Sequence, residues 1–182
     1  MSKQRLIYPA TRGIIPYAKL RPDLDVFAVT WVGSSLLSQA IRHFKAGGSH
    51  SSLGLRLYGT ITLIEAMAEG VVPNKASDRF SNYDGDILIH PLPMPTDVAD
   101  ALKTTALKLT TAHVGYGFRT LLALAWRTVR TCMRRPVCSQ TVAYILGEHG
   151  IIAPQVRVPS PGELRALLPA PWQLAPYTKE AD

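Results

Sequence analysis

The chain has 182 residues, 47% of them hydrophobic, and a formal net charge of +7 at pH 7. This length and composition predict a single domain over residues 1–182 with one substantial core, and they exclude a low-complexity or disordered chain. No run reaches the roughly 18 apolar residues of a membrane span, and no apolar signal-peptide core follows Met1. The default expectation is cytoplasmic residence, with which a phage or bacterial origin is compatible.

Hydrophobic periodicity places the strands early in the chain and most of the helices late. In chain order we expect a strand near 24–32, a helix near 34–46, a hairpin near 52–67, a strand near 86–90, and helices near 97–113, 119–134 and 137–147. Runs of strands followed by runs of helices favour the α+β class.

The predicted hairpin carries a histidine and a glutamate that belong to the same face. Apolar residues alternate on both sides of Gly59, which interrupts the pattern as a turn residue does. With any two-residue loop, cross-strand partners have numbers that sum to an odd value, and strand faces alternate with period two. His50 and Glu65 therefore point to the same side of the sheet. A carboxylate beside an imidazole fixes its tautomer and raises its basicity.

The position of the turn decides which carboxylate faces the histidine. A turn at Tyr58-Gly59 makes Glu65 a diagonal neighbour of His50, roughly 7–8 Å away at Cα, and a turn one residue earlier makes the two directly opposite. A turn one residue later would bring Glu69 to His50 instead. Glu69 is therefore the rival orienting acid.

Cys138 is the candidate nucleophile because it falls in the first turn of the last predicted helix. Pro136 suits a helix start, and the apolar period that follows is helical. A thiol there meets unpaired backbone N–H groups and the positive end of the helix dipole, and Arg134 and Arg135 add positive potential; each of these favours the thiolate. The alternative is that Cys138 is a buried, inert residue, as most free cysteines are.

These features, in this order, resemble the circularly permuted papain-fold enzymes. The group is the permuted NlpC-like one, with the YiiX/YaeF-like proteins and, more distantly, the lecithin:retinol acyltransferase type. The segments that carry the resemblance are Ser49-His50, Ile64-Glu65-Ala66, Gly70-Val71 and Val137-Cys138-Ser139. The histidine strand precedes the cysteine helix, which is the permuted order. The likeness spans about 20–165 and implies terminal extensions around an α+β fold, with a small antiparallel sheet packed against helices.

The resemblance implies Cys138 as nucleophile, His50 as general base and then acid, and Glu65 as the residue that orients His50. The reaction would be acyl transfer through a thioester, to water or to another acceptor, with no metal or organic cofactor. The backbone N–H of Cys138 would contribute to an oxyanion hole. The protein would then be a cysteine peptidase or amidase acting on peptide or peptidoglycan-type amides. A lipid acyl hydrolase of the same fold is the alternative.

A different class of function rests on the helix expected near 119–134. It combines a broad apolar face with an aromatic residue and several cations: Trp126, Arg127, Arg130 and Arg134. Such a helix could dock on an anionic membrane surface or, as the weaker alternative, on nucleic acid, and the protein would be a catalytically silent binding module. The commoner role of such a helix is core packing with a solvated basic edge.

The cysteines and the remaining histidines do not indicate a metal site. Cys132 and Cys138 are spaced neither as a zinc-ligand pair nor as a redox pair, so Cys132 is expected on the apolar face of its helix. No cysteine or acidic residue stands at the sequence spacing of a metal-ligand set from the other histidines, which are His43, His90, His113 and His149. The sequence therefore predicts a site without metal.

Overall fold

The structure is a computed structural model that describes residues 12–17, 20, 24–33, 48–112 and 137–175. The helices predicted near 34–46 and 119–134 lie outside these residues. So do Cys132 and the aromatic and basic residues proposed for a membrane surface, Trp126, Arg127, Arg130 and Arg134.

Seven strands and four helices form the described part of the chain. The strands are β1 (Ile14–Ile15), β2 (Val26–Gly33), β3 (His50–Leu57), β4 (Thr60–Met67), β5 (Gly70–Lys75), β6 (Gly85–Pro91) and β7 (Trp172–Leu174). The helices are α1 (Ala76–Ser81), α2 (Thr96–Thr111), α3 (Cys138–Glu148) and α4 (Pro161–Leu167). The α+β class is confirmed, and each predicted element within the described residues has its counterpart within a few residues.

All seven strands belong to one sheet, in the order β1-β7-β6-β2-β3-β4-β5. Only β1 and β7 are parallel; every other neighbouring pair is antiparallel. The sheet is thus larger than the small one that the sequence led us to expect. The strands that periodicity missed are β5, which contains Pro73 and lies at the edge, and the two- and three-residue strands β1 and β7. A proline is tolerated at an edge because no ladder donor is needed there.

The β3–β4 hairpin has its turn at Tyr58-Gly59, which is the middle one of the three turn positions that the sequence allows. Leu57 pairs with Thr60, and φ is 50° at Tyr58 and 78° at Gly59. Two successive residues with positive φ are typical of the type I′ turn, which suits the twist of a hairpin. This register makes His50 and Glu65 diagonal neighbours on one face of the sheet.

Two cores cover the two faces of the sheet. On one face, α2, α3 and α4 pack on residues that include Val26, Ala28, Leu53, Leu55 and Ile64. On the other, α1 and the segment before β2 cover residues that include Phe27, Trp31, Ile61, Leu63 and Ile89. Trp31 pairs directly with His50, so the histidine lies on the α1 face. Since β3 begins at His50, this residue also lies at the end of its strand.

Gly54 leaves space for the ring of Phe27 where β2 and β3 pair. It pairs with Phe27 across the two strands, and a Cβ at Gly54 would overlap the Phe27 ring. The ring is fully buried, so it has little room to move away. The close approach therefore requires glycine at this position.

We predict that Gly54→Ala lowers the free energy of unfolding by about 1–3 kcal/mol, the usual cost of overpacking a core. Gly147→Ala in α3 is the matched control, because a Cβ there meets Pro154 Cα at an ordinary 3.6 Å. Alanine also favours the helix, so the control should be neutral or slightly stabilising. Urea unfolding at pH 7 measures both changes. Equal stabilities for the two variants would contradict the packing argument.

Candidate active site

Cys138 is the first residue of α3, so it lies in the first turn of a helix, as the sequence predicts. Val137 before it is extended, with φ −98° and ψ 167°, and has no side-chain capping bond. The cap side chain therefore accepts no hydrogen bond from the N–H groups of the first turn, and these groups can donate to other acceptors. Cys138 is 4% exposed, and the backbone N–H groups of Ser51 and Ser139 donate to its sulfur. The sulfur thus lies where a negative charge is stabilised.

The imidazole of His50 hydrogen bonds to the Cys138 side chain. On its other side, Nε2 lies 3.1 Å from Oε1 of Glu65. A carboxylate can only accept, so Nε2 must donate to it. Nδ1 is then the ring nitrogen that is left to face the sulfur. The three residues suggested by the sequence, Cys138, His50 and Glu65, therefore come together as one hydrogen-bonded series.

Glu65 is fully buried, and protein donors occupy both of its oxygens. Ser52 Oγ donates to Oε1 at 3.1 Å, and Asn74 Nδ2 donates to Oε2 at 2.8 Å. Arg79 spans the two oxygens, with Nε at 2.8 Å from Oε2 and Nη2 at 3.3 Å from Oε1. A buried carboxylate with this many donors is held as the anion and in one orientation.

Trp31 contacts this hydrogen-bond network with both its ring and its Nε1. Its ring lies 5.4 Å from the guanidinium carbon of Arg79, a cation–π contact. Its Nε1 donates to Ser52 Oγ, which in turn donates to Glu65. One indole therefore contacts two of the partners of the carboxylate.

The pKa values of the three residues move in the directions that an ion pair requires. Burial raises the pKa of Glu65, but the hydrogen bond and charge of His50, followed by those of Arg79, outweigh it and lower the pKa to about 2. Burial lowers the pKa of His50, but the charge and hydrogen bond of Cys138 and then those of Glu65 raise it to about 10. Burial raises the pKa of Cys138, yet His50 and the two backbone N–H donors lower it overall.

Together these shifts favour a thiolate beside an imidazolium over the neutral thiol–imidazole pair. The thiolate is the nucleophilic form of cysteine, and the imidazolium holds a proton that a leaving group can take. The arrangement has the three members of a nucleophile, base and orienting-acid set. It can attack a carbonyl group and assist the departure of the group bound to it.

Glu69, the rival acid, does not join this series. It is exposed in the turn between β4 and β5. The reason is the hairpin register, which makes Glu65 the diagonal neighbour of His50.

The sequence analysis did not single out Ser52, Asn74, Arg79 or Trp31. Strand parity places Ser52 on the face of His50, and this could have indicated it. Asn74 lies on β5, which was not predicted, and Arg79 lies on the short helix α1. Trp31 was contained in the first predicted strand, but its pairing with His50 joins segments that are distant in sequence.

Of the other histidines, His90 and His149 are in the described residues and bond elsewhere. His90 is buried between Thr30 Oγ1, 3.1 Å from Nε2, and the carbonyl of Pro169, 2.7 Å from Nδ1. Burial is the main reason that the pKa of His90 falls to about 4. His149 Nε2 lies 2.9 Å from Thr105 Oγ1. Both side chains have partners outside the Cys138 series.

Comparison with known proteins identifies the fold. No family model matches the chain, and no curated protein matches it in sequence. Among solved structures, the metalloprotein yiiX from Escherichia coli O157:H7, DUF1105, is similar with a TM-score of 0.63 and 13% identity, over 84% of this chain and 96% of that chain. At this identity the likeness establishes the fold alone. The chain therefore has a YiiX-like α+β fold.

That neighbour is a metalloprotein, whereas the site residues of this chain are already occupied with one another. Within the described ranges, no three His, Cys, Asp or Glu side chains come together as a metal-ligand group. The carboxylate of Glu65 is already saturated by neutral donors and by the Arg79 cation. The site residues therefore do not fit a bound metal ion.

Among the residues that the structure describes, no helix is long and apolar enough to cross a membrane.

The buried Glu65 predicts a specific acid sensitivity. Its pKa falls from an ordinary 4.5 to about 2 on folding, so its ionisation stabilises the fold above pH 4.5 and that contribution is lost as the pH falls toward 2. We expect roughly 2 kcal/mol of this contribution to be lost by pH 3. In Glu65→Gln this part of the pH dependence should disappear. Urea unfolding between pH 2.5 and 7 measures it.

Glu69→Gln is the matched control, because it is the same change four residues further along the chain, at an exposed position in the turn between β4 and β5. It should keep the pH dependence of the wild type. An acid sensitivity that survives in Glu65→Gln, or that disappears in Glu69→Gln, would contradict the assignment.

Proposed function

We propose that the protein is a cysteine-dependent hydrolase that cleaves amide bonds of the peptide or peptidoglycan type. The observation that carries the proposal is the convergence of Cys138, His50 and Glu65 in one hydrogen-bonded series at the start of a helix. Within this proposal the fold is of the circularly permuted papain type, since the histidine strand precedes the cysteine helix in the chain. The YiiX-like fold supports that interpretation without testing the activity.

The reaction proceeds in two stages. In the first, the Cys138 thiolate attacks the carbonyl carbon, a C–S bond forms, and the carbonyl electron pair moves to oxygen. The backbone N–H of Cys138, at the start of α3, is the proposed donor to this oxyanion. The oxyanion collapses, the C–N bond breaks, and the departing amine takes the proton of His50. A thioester and a neutral imidazole remain.

In the second stage, a water molecule attacks the thioester. His50 accepts the proton of the water, the C–S bond breaks, and the sulfur leaves as the thiolate. The products are a carboxylic acid and the original thiolate–imidazolium pair. Glu65 accepts from Nε2 throughout, so the nitrogen that exchanges protons is the one that faces the sulfur.

The protonated state of His50 favours amides over esters as substrates. An amine is a poor leaving group unless it is protonated as it departs, whereas an alkoxide or phenoxide can leave with less help. A site that holds an imidazolium before the substrate arrives already supplies this acid. The pKa of His50, raised to about 10 chiefly by the charge of Cys138 against the lowering effect of burial, keeps the proton available at pH 7.

The test is to detect the acyl–enzyme directly. We predict that incubation with p-nitrophenyl acetate, or with a mixture of short peptide amides and soluble peptidoglycan fragments, transfers an acyl group to Cys138. Intact-mass spectrometry detects the adduct, and peptide mapping separates Cys138 from Cys132. Cys138→Ala should form no adduct and lose turnover, since a side chain without sulfur cannot attack.

The same variant should remain folded, because it removes a single buried sulfur atom and a Cys→Ala change of this size costs about 1–2 kcal/mol. Circular dichroism and urea unfolding provide that control. Turnover in Cys138→Ala at the wild-type rate would overturn the proposed nucleophile. An adduct on Cys132 alone would do the same.

A further inference from the structure

Among the side chains that the structure describes, Arg79 is bound to the orienting acid most extensively. Its Nε and Nη2 bridge both oxygens of Glu65 at 2.8 and 3.3 Å. Resting on the function proposed above, we infer that Arg79 is a positioning residue of this reaction. Its charge keeps Glu65 ionised and favours the thiolate form of Cys138 near neutral pH. Arg79 touches neither the sulfur nor the reacting carbonyl, so it acts through Glu65 and His50.

The need for a cation follows from burial. Glu65 has no exposed surface, and a buried carboxylate without a paired charge tends to take up a proton. In the resting state the imidazolium of His50 could balance it. During the reaction, however, His50 gives its proton to the departing amine and becomes neutral. Arg79 is then the charge that still balances Glu65.

The charges of the site add up to zero only when Arg79 is included. The Cys138 thiolate and the Glu65 carboxylate are negative, while the His50 imidazolium and the Arg79 guanidinium are positive. Without the guanidinium, the buried cluster would carry one excess negative charge. Such a cluster holds its protons more tightly, so the thiol would ionise at higher pH.

The geometry points to a positioning role that is built into the fold. A guanidinium stays charged at every relevant pH, and its planar fork matches the two oxygens of a carboxylate. The ring of Trp31 lies against Arg79 at 5.4 Å from the guanidinium carbon. Arg79 is 34% exposed, yet its Nε and Nη2 are directed to a residue with no exposure at all.

The charged groups in contact with Glu65 come from two elements, His50 from β3 and Arg79 from α1. The neutral donors are Ser52 from β3 and Asn74 from β5. On the far side of His50 lies Cys138 from α3. Of the two charged side chains that the structure shows bound to Glu65, Arg79 is thus the one whose charge does not change during the proposed cycle.

The experiment measures the rate at which iodoacetamide alkylates Cys138 as a function of pH, resolved from Cys132 by peptide mass spectrometry. The variants are Arg79→Leu, Arg79→Gln and Arg79→Lys. Removing the charge should raise the midpoint of the labelling profile by about one pH unit, which is roughly a tenfold loss of rate below the midpoint. Arg79→Lys retains the charge and should keep the wild-type midpoint.

Two neutral variants are used because Arg79→Leu also removes the hydrogen bonds to Glu65, which can prevent folding. Arg79→Gln retains a donor for the carboxylate and gives the same prediction. Arg56→Gln is the matched control: Arg56 is half-buried on the same sheet, but it donates to the carbonyls of Leu20 and Leu24. Its labelling profile should be that of the wild type.

A wild-type midpoint in the folded neutral variants overturns the inference, as does an equal shift in Arg79→Lys. Either result would leave the proposed function intact if the wild-type protein labels rapidly well below pH 8. A wild-type midpoint at or above the ordinary thiol value of about 8.5 would instead overturn the proposed function and this inference together.

Discussion

The buried carboxylate of Glu65 is the constraint on which the rest of the site depends. Charged groups are seldom fully buried, and their burial is tolerated only where donors and opposite charges surround them. Here β3, β5 and α1 each supply a donor, and Trp31 supports two of these donors from β2. Moving any of these elements would leave the anion without part of its stabilisation. The carboxylate therefore fixes their relative positions.

The position of the carboxylate in the sheet determines how the ring of His50 is oriented toward Cys138. The hairpin turn fixes the register, the register makes His50 a diagonal neighbour of Glu65, and the carboxylate holds Nε2 of the ring. The remaining ring nitrogen is then directed to the start of α3. That helix lies on the opposite face of the sheet from α1, so the histidine and the cysteine meet at the end of β3 rather than across the middle of the sheet.

The pairing of His50 with Glu65 and the position of Cys138 in a first turn were predictable because their signals are local, whereas the meeting of Cys138 and His50 was expected only from the resemblance. Parity along two strands joined by a short turn relates His50 to Glu65, and a helix start places Cys138 in a first turn. The choice among the three turn positions was not predictable from periodicity, since each satisfies the same alternation. The structure selects Tyr58-Gly59 because the twist of the hairpin favours positive φ at both residues.

Apart from Ser52, whose face follows from strand parity, the rest of the site was not predictable because its signals are not periodic. Arg79 lies in a six-residue helix, too short for a reliable pattern, and its role depends on the distant Trp31. The full width of the sheet was missed for a related reason. Short strands such as β1 and β7 are defined by the partner they pair with and not by alternation within their own residues.

The protonation state of His50 tests the central claim most directly. Nitrogen NMR of the imidazole should be recorded against pH for the wild type and for Cys138→Ala. The account predicts a ring that stays protonated above pH 8 in the wild type, with a pKa that falls when the sulfur is removed, because the charge of Cys138 is the largest influence that raises it against burial. A ring that is neutral at pH 7 in both proteins would contradict the account.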